Sequence, residues 1–332
     1  MKKISLLMLA GVFFIACGGI KKSKRGETYY ANTITTEELK KDLYQLASDE
    51  FEGRRTGEKG QKLAADYLAN VYKQEKIEAP KNAPNYFQDI PKAFFQNRSN
   101  DDSENVVAFI PGSEKPEEII VISAHYDHMG LDHGEIHYGA DDDASGTSSV
   151  LAIARAFKKA YDEGNGPKRS LLFLHLTGEE EGLFGSKYYT ENPLFPLVNT
   201  VANLNIDMVG RVDEAHENNR EFVYVIGADK LSTELHDINE AANKEHVNLA
   251  LDYKYNDEND PNRFYYRSDH YNFAKHNIPI IFYFNGTHVD YHKPTDTPDK
   301  IDYELLKKRT KLVFYTAWEL ANRENRIVVD KK

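Results

Sequence analysis

Four apolar runs in this chain each stop at, or just short of, a side chain that can ligate a metal. That pattern restricts the fold more than any other feature. Ile119 to Ala124 leads into His125, Leu171 to Leu176 leads to Glu179 and Glu180, Val201 to Ile206 leads into Asp207, and Pro279 to Phe284 precedes His292. Short apolar runs without polar alternation read as strands buried on both faces, as in a parallel sheet covered by helices. In open α/β sheets, ligands gather beyond the carboxyl ends of the strands. A fifth group, Asp142, opens a Gly-bounded turn into a helix. Imidazole and carboxylate without thiolate suit a divalent ion such as zinc, and the neighbouring Glu179 is what metal-assisted hydrolysis needs as a base.

The rest of the chain is organised in the same sense. Thr35 with Glu38 makes a capping box ahead of Leu39, Leu43 and Leu46 at helical spacing, and a second helix is predicted from Lys59 to Gln74. Strands are predicted over Asn105 to Ile110, Glu118 to Ala124, Ser170 to Leu176, Thr200 to Ile206, Phe222 to Gly227 and Ile280 to Phe284. Helices are predicted over Ala144 to Tyr161, Leu231 to His246 and Tyr303 to Arg323. This order predicts an α/β fold, a three-layer α/β/α sandwich around a mixed, mostly parallel central sheet. With 332 residues, of which 40% are hydrophobic, the chain has material for one large core, and a single catalytic domain is assigned to residues 36–328. The formal charge of -11, with acidic residues spread along the chain, excludes the basic footprint of a nucleic-acid binder.

The amino-terminal stretch has a different character. Lys2 and Lys3 precede an apolar segment, Ile4 to Ala16, that is too short to span a bilayer, so residues 1–16 read as a signal peptide. Phe14-Ile15-Ala16-Cys17 resembles the lipobox of bacterial lipoproteins, which implies cleavage before Cys17 and its acylation. Cys17 is the only cysteine in the sequence, which removes any disulfide framework. Residues 17–35 are then expected to be a lipidated tether, and the mature protein to be held at the bacterial cell envelope, periplasmic or outer-membrane associated. Oligomeric state is not legible.

Each chemical motif has a plainer competitor. His125-Tyr126-Asp127 places two side chains on one side of an extended strand end, where the carboxylate could fix the imidazole; a lone His at a strand end is usually a polar edge residue. Gly139 to Gly146 contains Asp141, Asp142 and Asp143, which repel unless a cation gathers them. The same run mimics the opening of a calcium loop but has Ala152 where the bidentate Glu is required. Glu179-Glu180-Glu181 would be costly at a buried strand end without metal or a proton, the alternative being a solvated acidic loop. No G-x-S-x-G elbow occurs, and His216-Glu217 is followed by Arg220 where a zincin needs His. Ser268-Asp269-His270 has the residue types of a triad, but direct neighbours do not converge as one; a role in shaping the pocket fits better.

Taken in order, Glu52 to Gly57, Ala124 to His128, Gly139 to Gly146, Gly178 to Ser186, Asn205 to Met208 and Tyr291 to Asp296 resemble metallopeptidase family 28, the co-catalytic di-zinc exopeptidases that include bacterial leucyl aminopeptidases. The resemblance runs from about Glu37 to about Ala321. It implies that Asp142 bridges two Zn2+ ions, that His125 and Asp207 complete one site, and that Glu180 and His292 complete the other. It further implies Glu179 as general base, Asp127 as the group orienting His125, Tyr291 as a group polarising the carbonyl, and a cis or strained bond between Asp142 and Asp143. The implied substrate is a peptide with a free amino terminus. Larger relatives insert a protease-associated domain where this chain has only Asn85 to Glu104. Glutaminyl cyclases are similar in fold but use one zinc and an intramolecular amine attack; Asp143 to Gly146 and Glu181 to Ser186 side with the peptidase pattern. A non-catalytic binding module on the same fold is opposed by the presence of all five ligand types. Residue preference at the cleaved end is not legible, though the Tyr-rich segment Asp252 to Tyr271 is expected to form a pocket wall.

Overall fold

The computed structural model of the chain describes residues 25–331. Cys17, the expected signal peptide 1–16 and the first part of the expected tether lie outside the described residues. Among the described residues the strands are β1 (Phe87–Ile90), β2 (Ser103–Ile110), β3 (Lys115–His125), β4 (Gly130–Asp132), β5 (Glu135–His137), β6 (Arg169–Leu176), β7 (Thr200–Ile206), β8 (Phe222–Ile226), β9 (Ala250–Asp252) and β10 (Ile280–Phe284). The α-helices are α1 (Glu27–Ala31), α2 (Thr36–Leu46), α3 (Lys59–Gln74), α4 (Gly146–Asp162), α5 (Phe184–Glu191), α6 (Thr233–Ala242), α7 (His270–Ala274) and α8 (Tyr303–Asn322).

Eight strands form one sheet in the order β1-β2-β6-β3-β7-β10-β8-β9, and β4 with β5 makes a separate hairpin. The central strands β6, β3, β7 and β10 run parallel, so their carboxyl ends emerge on one edge. β2 joins β6 and β8 joins β10 in antiparallel fashion, which makes the sheet mixed. Side chains alternate between faces with the period of two that a strand imposes. Ile120, Ile122 and Ala124 of β3 and Leu171 and Phe173 of β6 enter the larger core, with α3, α4 and α8. Ile119, Val121, Leu172, Leu174 and Leu176 enter the smaller core on the opposite face, with Tyr189 of α5 and Phe273 of α7. Every residue of β6 is buried. Each of its leucines contributes roughly 1.5–3 kcal/mol through burial, so the strand that delivers Glu179 and Glu180 is firmly anchored.

Local signals account for several boundaries. The Thr35 hydroxyl accepts from the Glu38 amide at 3.3 Å, which starts α2 where the capping box predicts. α3 and β10 occupy the predicted residues. The predicted helix from Leu231 to His246 is instead α6, capped by Ser232 and followed by a wider π turn over Asn243–Val247. The expected tether does not run free as far as residue 35. Tyr30, Ala31 and Ile34 are buried, and the Tyr30 ring stacks on Trp318 with centroids 5.5 Å apart. Tyr30 finds a face of α8 to cover, a tertiary partner that the polar local composition does not reveal.

Candidate active site

The parallel strands carry the candidate ligands to one edge of the sheet. β3 ends at His125, β7 ends one residue before Asp207, and β6 passes through Thr177 and Gly178 to Glu179 and Glu180. Gly178 turns there with φ of +67°, and a Cβ would lie 2.8 Å from the Phe95 ring, so the turn needs a residue without a side chain. Asp142 comes from the turn before α4. Its bond to Asp143 is cis. The amides of Asp141 and Asp142 both donate to Asp296 Oδ2, at 2.9 and 3.2 Å, which fixes the turn from the far side.

The two oxygens of Asp142 face different imidazoles. Its Oδ1 lies 3.1 Å from His125 Nε2, which is also 3.6 Å from Asp207 Oδ1. Its Oδ2 lies 3.1 Å from His292 Nε2, which is 3.1 Å from Glu180 Oε2 as well. The five residues expected from the sequence therefore come together as two groups that share Asp142. His128 joins the second group: its Nδ1 is 2.8 Å from Glu180 Oε1 and 3.9 Å from Asp142 Oδ2.

These short N···O separations are not hydrogen bonds. His125 Nε2, His292 Nε2, both ring nitrogens of His128 and Glu180 Oε1 are all buried without a hydrogen-bond partner, which buried polar atoms seldom are. Donor atoms that crowd together without pointing at one another suit a cation between them. A tetrahedral zinc with N and O ligands at about 2.0–2.1 Å keeps its ligand atoms about 3.3 Å apart. The separations of 2.8–3.9 Å bracket that spacing. His125, Asp142 and Asp207 bring ligand atoms within 4.8 Å of one another, as do His128, Asp142 and Glu180, and both groups fit zinc; His292 adjoins the second through its 3.1 Å approaches to Asp142 and Glu180.

Electrostatics point the same way. Burial opposes ionisation of Asp142, yet the imidazoles of His125 and His292 hold its carboxyl well below the usual range. Against the cost of burial, Asp142 and Glu180 push His292 up to about 10. Glu179 behaves differently: burial raises its pKa well above the ordinary value, and the carboxylates of Glu180 and Asp207 add to the effect while His125 opposes it. A carboxyl so placed holds or accepts a proton more readily than its neighbours do.

Supporting contacts come from distant segments. His125 Nδ1 bonds the backbone oxygen of Asp127 at 3.1 Å, whereas the Asp127 carboxylate stands 3.6 Å away. That carboxylate instead accepts from Thr56 Oγ1 at 2.9 Å and from the Glu179 amide at 3.2 Å. Asp127 thus orients His125 chiefly through its backbone, and ties the β6 turn to the β3 end through its side chain. Ser268 Oγ donates to Asp207 Oδ2 at 2.6 Å and accepts from Asn205 Nδ2 at 2.9 Å. The buried guanidinium of Arg54 donates to the carbonyls of Tyr126 and Gly139 at 2.8 and 2.9 Å, bracing the loops that carry His128 and Asp142. The Tyr291 ring stacks on His292 with centroids 3.8 Å apart, and its hydroxyl is 3.4 Å from Arg267 Nη2. Glu181 turns from the centre to Arg55, 3.6 Å away. Beside Asp142, Glu179 and Tyr291 opens a cleft walled by Met208, Phe264, Arg267, Phe282 and Phe284. Two of these wall residues belong to the Tyr-rich segment expected to contribute.

Comparison with known proteins agrees with this geometry. The profile of "Peptidase family M28" matches residues 105–317. A probable zinc metalloprotease of Leptosphaeria maculans is 36% identical over 109 residues, covering 32% of this chain and 24% of the relative. The chain's match thus spans about a quarter of that relative's length. Among solved structures, the LapA aminopeptidase of Legionella pneumophila superposes with a TM-score of 0.69 at 21% identity, covering 97% of this chain and 81% of LapA. A glutaminyl cyclase of Porphyromonas gingivalis gives a TM-score of 0.66 at 16% identity, covering 85% of this chain and 97% of the cyclase. These two likenesses establish a shared α/β fold.

Proposed function

Because this chain belongs to peptidase family M28, we propose that it is a two-zinc aminopeptidase that hydrolyses the first peptide bond of peptides with a free amino terminus. The observation that carries this reading is Asp142, whose two oxygens each lie 3.1 Å from a different imidazole. A carboxylate placed in that way supports a bridging role, with His125 and Asp207 holding one ion and Glu180 and His292 the other. When bound, such a pair supplies a hydroxide at neutral pH and polarises the scissile carbonyl.

The chain's own residues divide the remaining work. Glu179 stands on the cleft side of the ligands, accepts the proton of the attacking water and passes it to the departing amine. Tyr291, also in the cleft wall, directs its hydroxyl to the carbonyl oxygen as negative charge develops there. Asp127 keeps His125 and the Glu179 amide in register. A single-zinc cyclase chemistry on this fold would leave one of the two ligand groups without a task, which is why the peptidase reading is preferred.

The test is hydrolysis of aminoacyl chromogenic substrates before chelation, after chelation and after return of zinc. Cleavage that is lost with chelator, restored by zinc and absent for N-acetylated substrates is expected. Pyroglutamate formation from an amino-terminal glutamine, without cleavage, would overturn the reading in favour of the cyclase. For location, we propose on the sequence of residues 14–17 alone that Cys17 carries a lipid and that the protein is anchored at a bacterial cell envelope. Cys17→Ser should then lose partition into detergent; retained partition would refute the anchor.

A further inference from the structure

We propose that His128 is a fourth protein ligand of the ion held by Asp142, Glu180 and His292, so that the two metal positions are unequal. This rests on the two-zinc reading above and extends it. His128 lies three residues past His125 but returns to the same centre, because β3 ends at His125 and the segment after it is irregular. The His128 side chain is fully buried. A buried histidine in a purely structural role hydrogen-bonds through its ring nitrogens. Neither nitrogen of His128 has such a bond, and Nδ1 lies 2.8 Å from the equally unpartnered Glu180 Oε1.

The surroundings hold the ring in that place. Gly139 lies against it with φ of +54°, and a Cβ there would sit 2.5 Å from His128 Cγ and 2.2 Å from the Asp142 carbonyl oxygen. A glycine at 139 thus lets the turn carrying Asp142 close onto the imidazole. The His128 amide donates to the Arg54 carbonyl at 3.2 Å, which pins the backbone. The His292 ring meets the His128 ring edge-on at 5.8 Å between centroids.

The consequence is an asymmetry between the positions. Asp142, Glu180, His292 and His128 supply four donors to one ion, the number that closes a tetrahedral zinc site. Asp142, His125 and Asp207 supply three to the other, the number that leaves a position for water. The first ion is then held more tightly, while the second exchanges more readily.

The experiment uses the purified chain with Cys17, the only other cysteine, replaced by serine. His128→Cys puts a thiolate where Nδ1 stands, since both reach a metal from the same Cβ at similar span. With two equivalents of cobalt(II) it should show a thiolate-to-cobalt charge-transfer band that the parent lacks. His128→Asn should lose one ion of two on the order of 10-fold or more more readily to a competing chelator, but loss of an outer partner can do the same. The charge-transfer band is therefore the decisive readout. Should the cysteine variant not fold, the di-cobalt parent provides the answer. Three solvent-exchangeable, hyperfine-shifted imidazole N–H resonances are expected from His125, His128 and His292, and two would overturn the assignment. Two bound ions without the band in a folded cysteine variant would refute the role of His128 alone. One bound ion in the parent would refute the two-zinc reading instead.

Discussion

His175 offers a prediction whose size follows from the structure. It lies on β6 with its side chain fully buried, its Nε2 2.7 Å from the Tyr72 hydroxyl, and burial depresses its pKa from 6.5 to about 3. The unfolded chain binds a proton at this imidazole below about pH 6.5, whereas the folded chain stays neutral down to about 3. Stability is therefore unaffected above pH 6.5 and falls as pH drops through the window from 6.5 towards 3. Each pH unit in that window costs about 1.4 kcal/mol, so moving from pH 8 to pH 5 removes about 2 kcal/mol through this residue. His175→Gln removes the titration and keeps an acceptor for Tyr72. Urea unfolding of both proteins at pH 8 and pH 5, with chelator present throughout so that metal release cancels, reads the difference. The variant should be the less stable at pH 8, and the gap should shrink by about 2 kcal/mol at pH 5. A gap of the same size at both pH values would refute the claim that His175 is held neutral.

Two further outcomes concern the centre itself. Glu179→Gln keeps the shape of the side chain and removes the proposed base, so kcat should fall on the order of 10²-fold or more with the metal complement intact, whereas Glu181→Gln should leave kcat within about twofold; steady-state kinetics with metal analysis reads both. Ser268→Ala removes the 2.6 Å hydrogen bond to Asp207. Zinc affinity at the His125 and Asp207 position should weaken by roughly 10–100-fold while the other position is spared, as chelator competition would show; equal weakening of both would contradict the assignment.

Much of the fold and of the centre is legible because the signals are local. β7 and β10 lie on their apolar runs, and the five candidate ligands follow from what stands just past such runs, or in the glycine-bounded turn before α4. The groups that steady them are not legible in this way. Ser268 reaches Asp207 across 61 residues, and Asp296 reaches Asp142 across 154. Both stand in runs that the sequence singles out, Ser268-Asp269-His270 and Tyr291 to Asp296, but no local pattern names their partners. His128 escaped for another reason. Strand alternation would send residues 125 and 128 to opposite faces, but the alternation ends with β3, and the irregular segment braced by Arg54 brings His128 back. Asp127 shows the same effect on a smaller scale, since a backbone oxygen does the orienting that residue type alone would assign to its carboxylate. The short β9 and the β4–β5 hairpin were also invisible, being three-residue strands fixed by partners rather than by pattern.

The central claim is that one carboxylate, Asp142, holds two zinc ions in a working peptidase, and the most direct measurement is zinc content per chain in the parent and in Asp142→Asn. The parent should carry two ions, and the variant should lose affinity at both positions together while its fold persists. A single ion in the parent, or a variant that retains both ions at full affinity, would contradict the account.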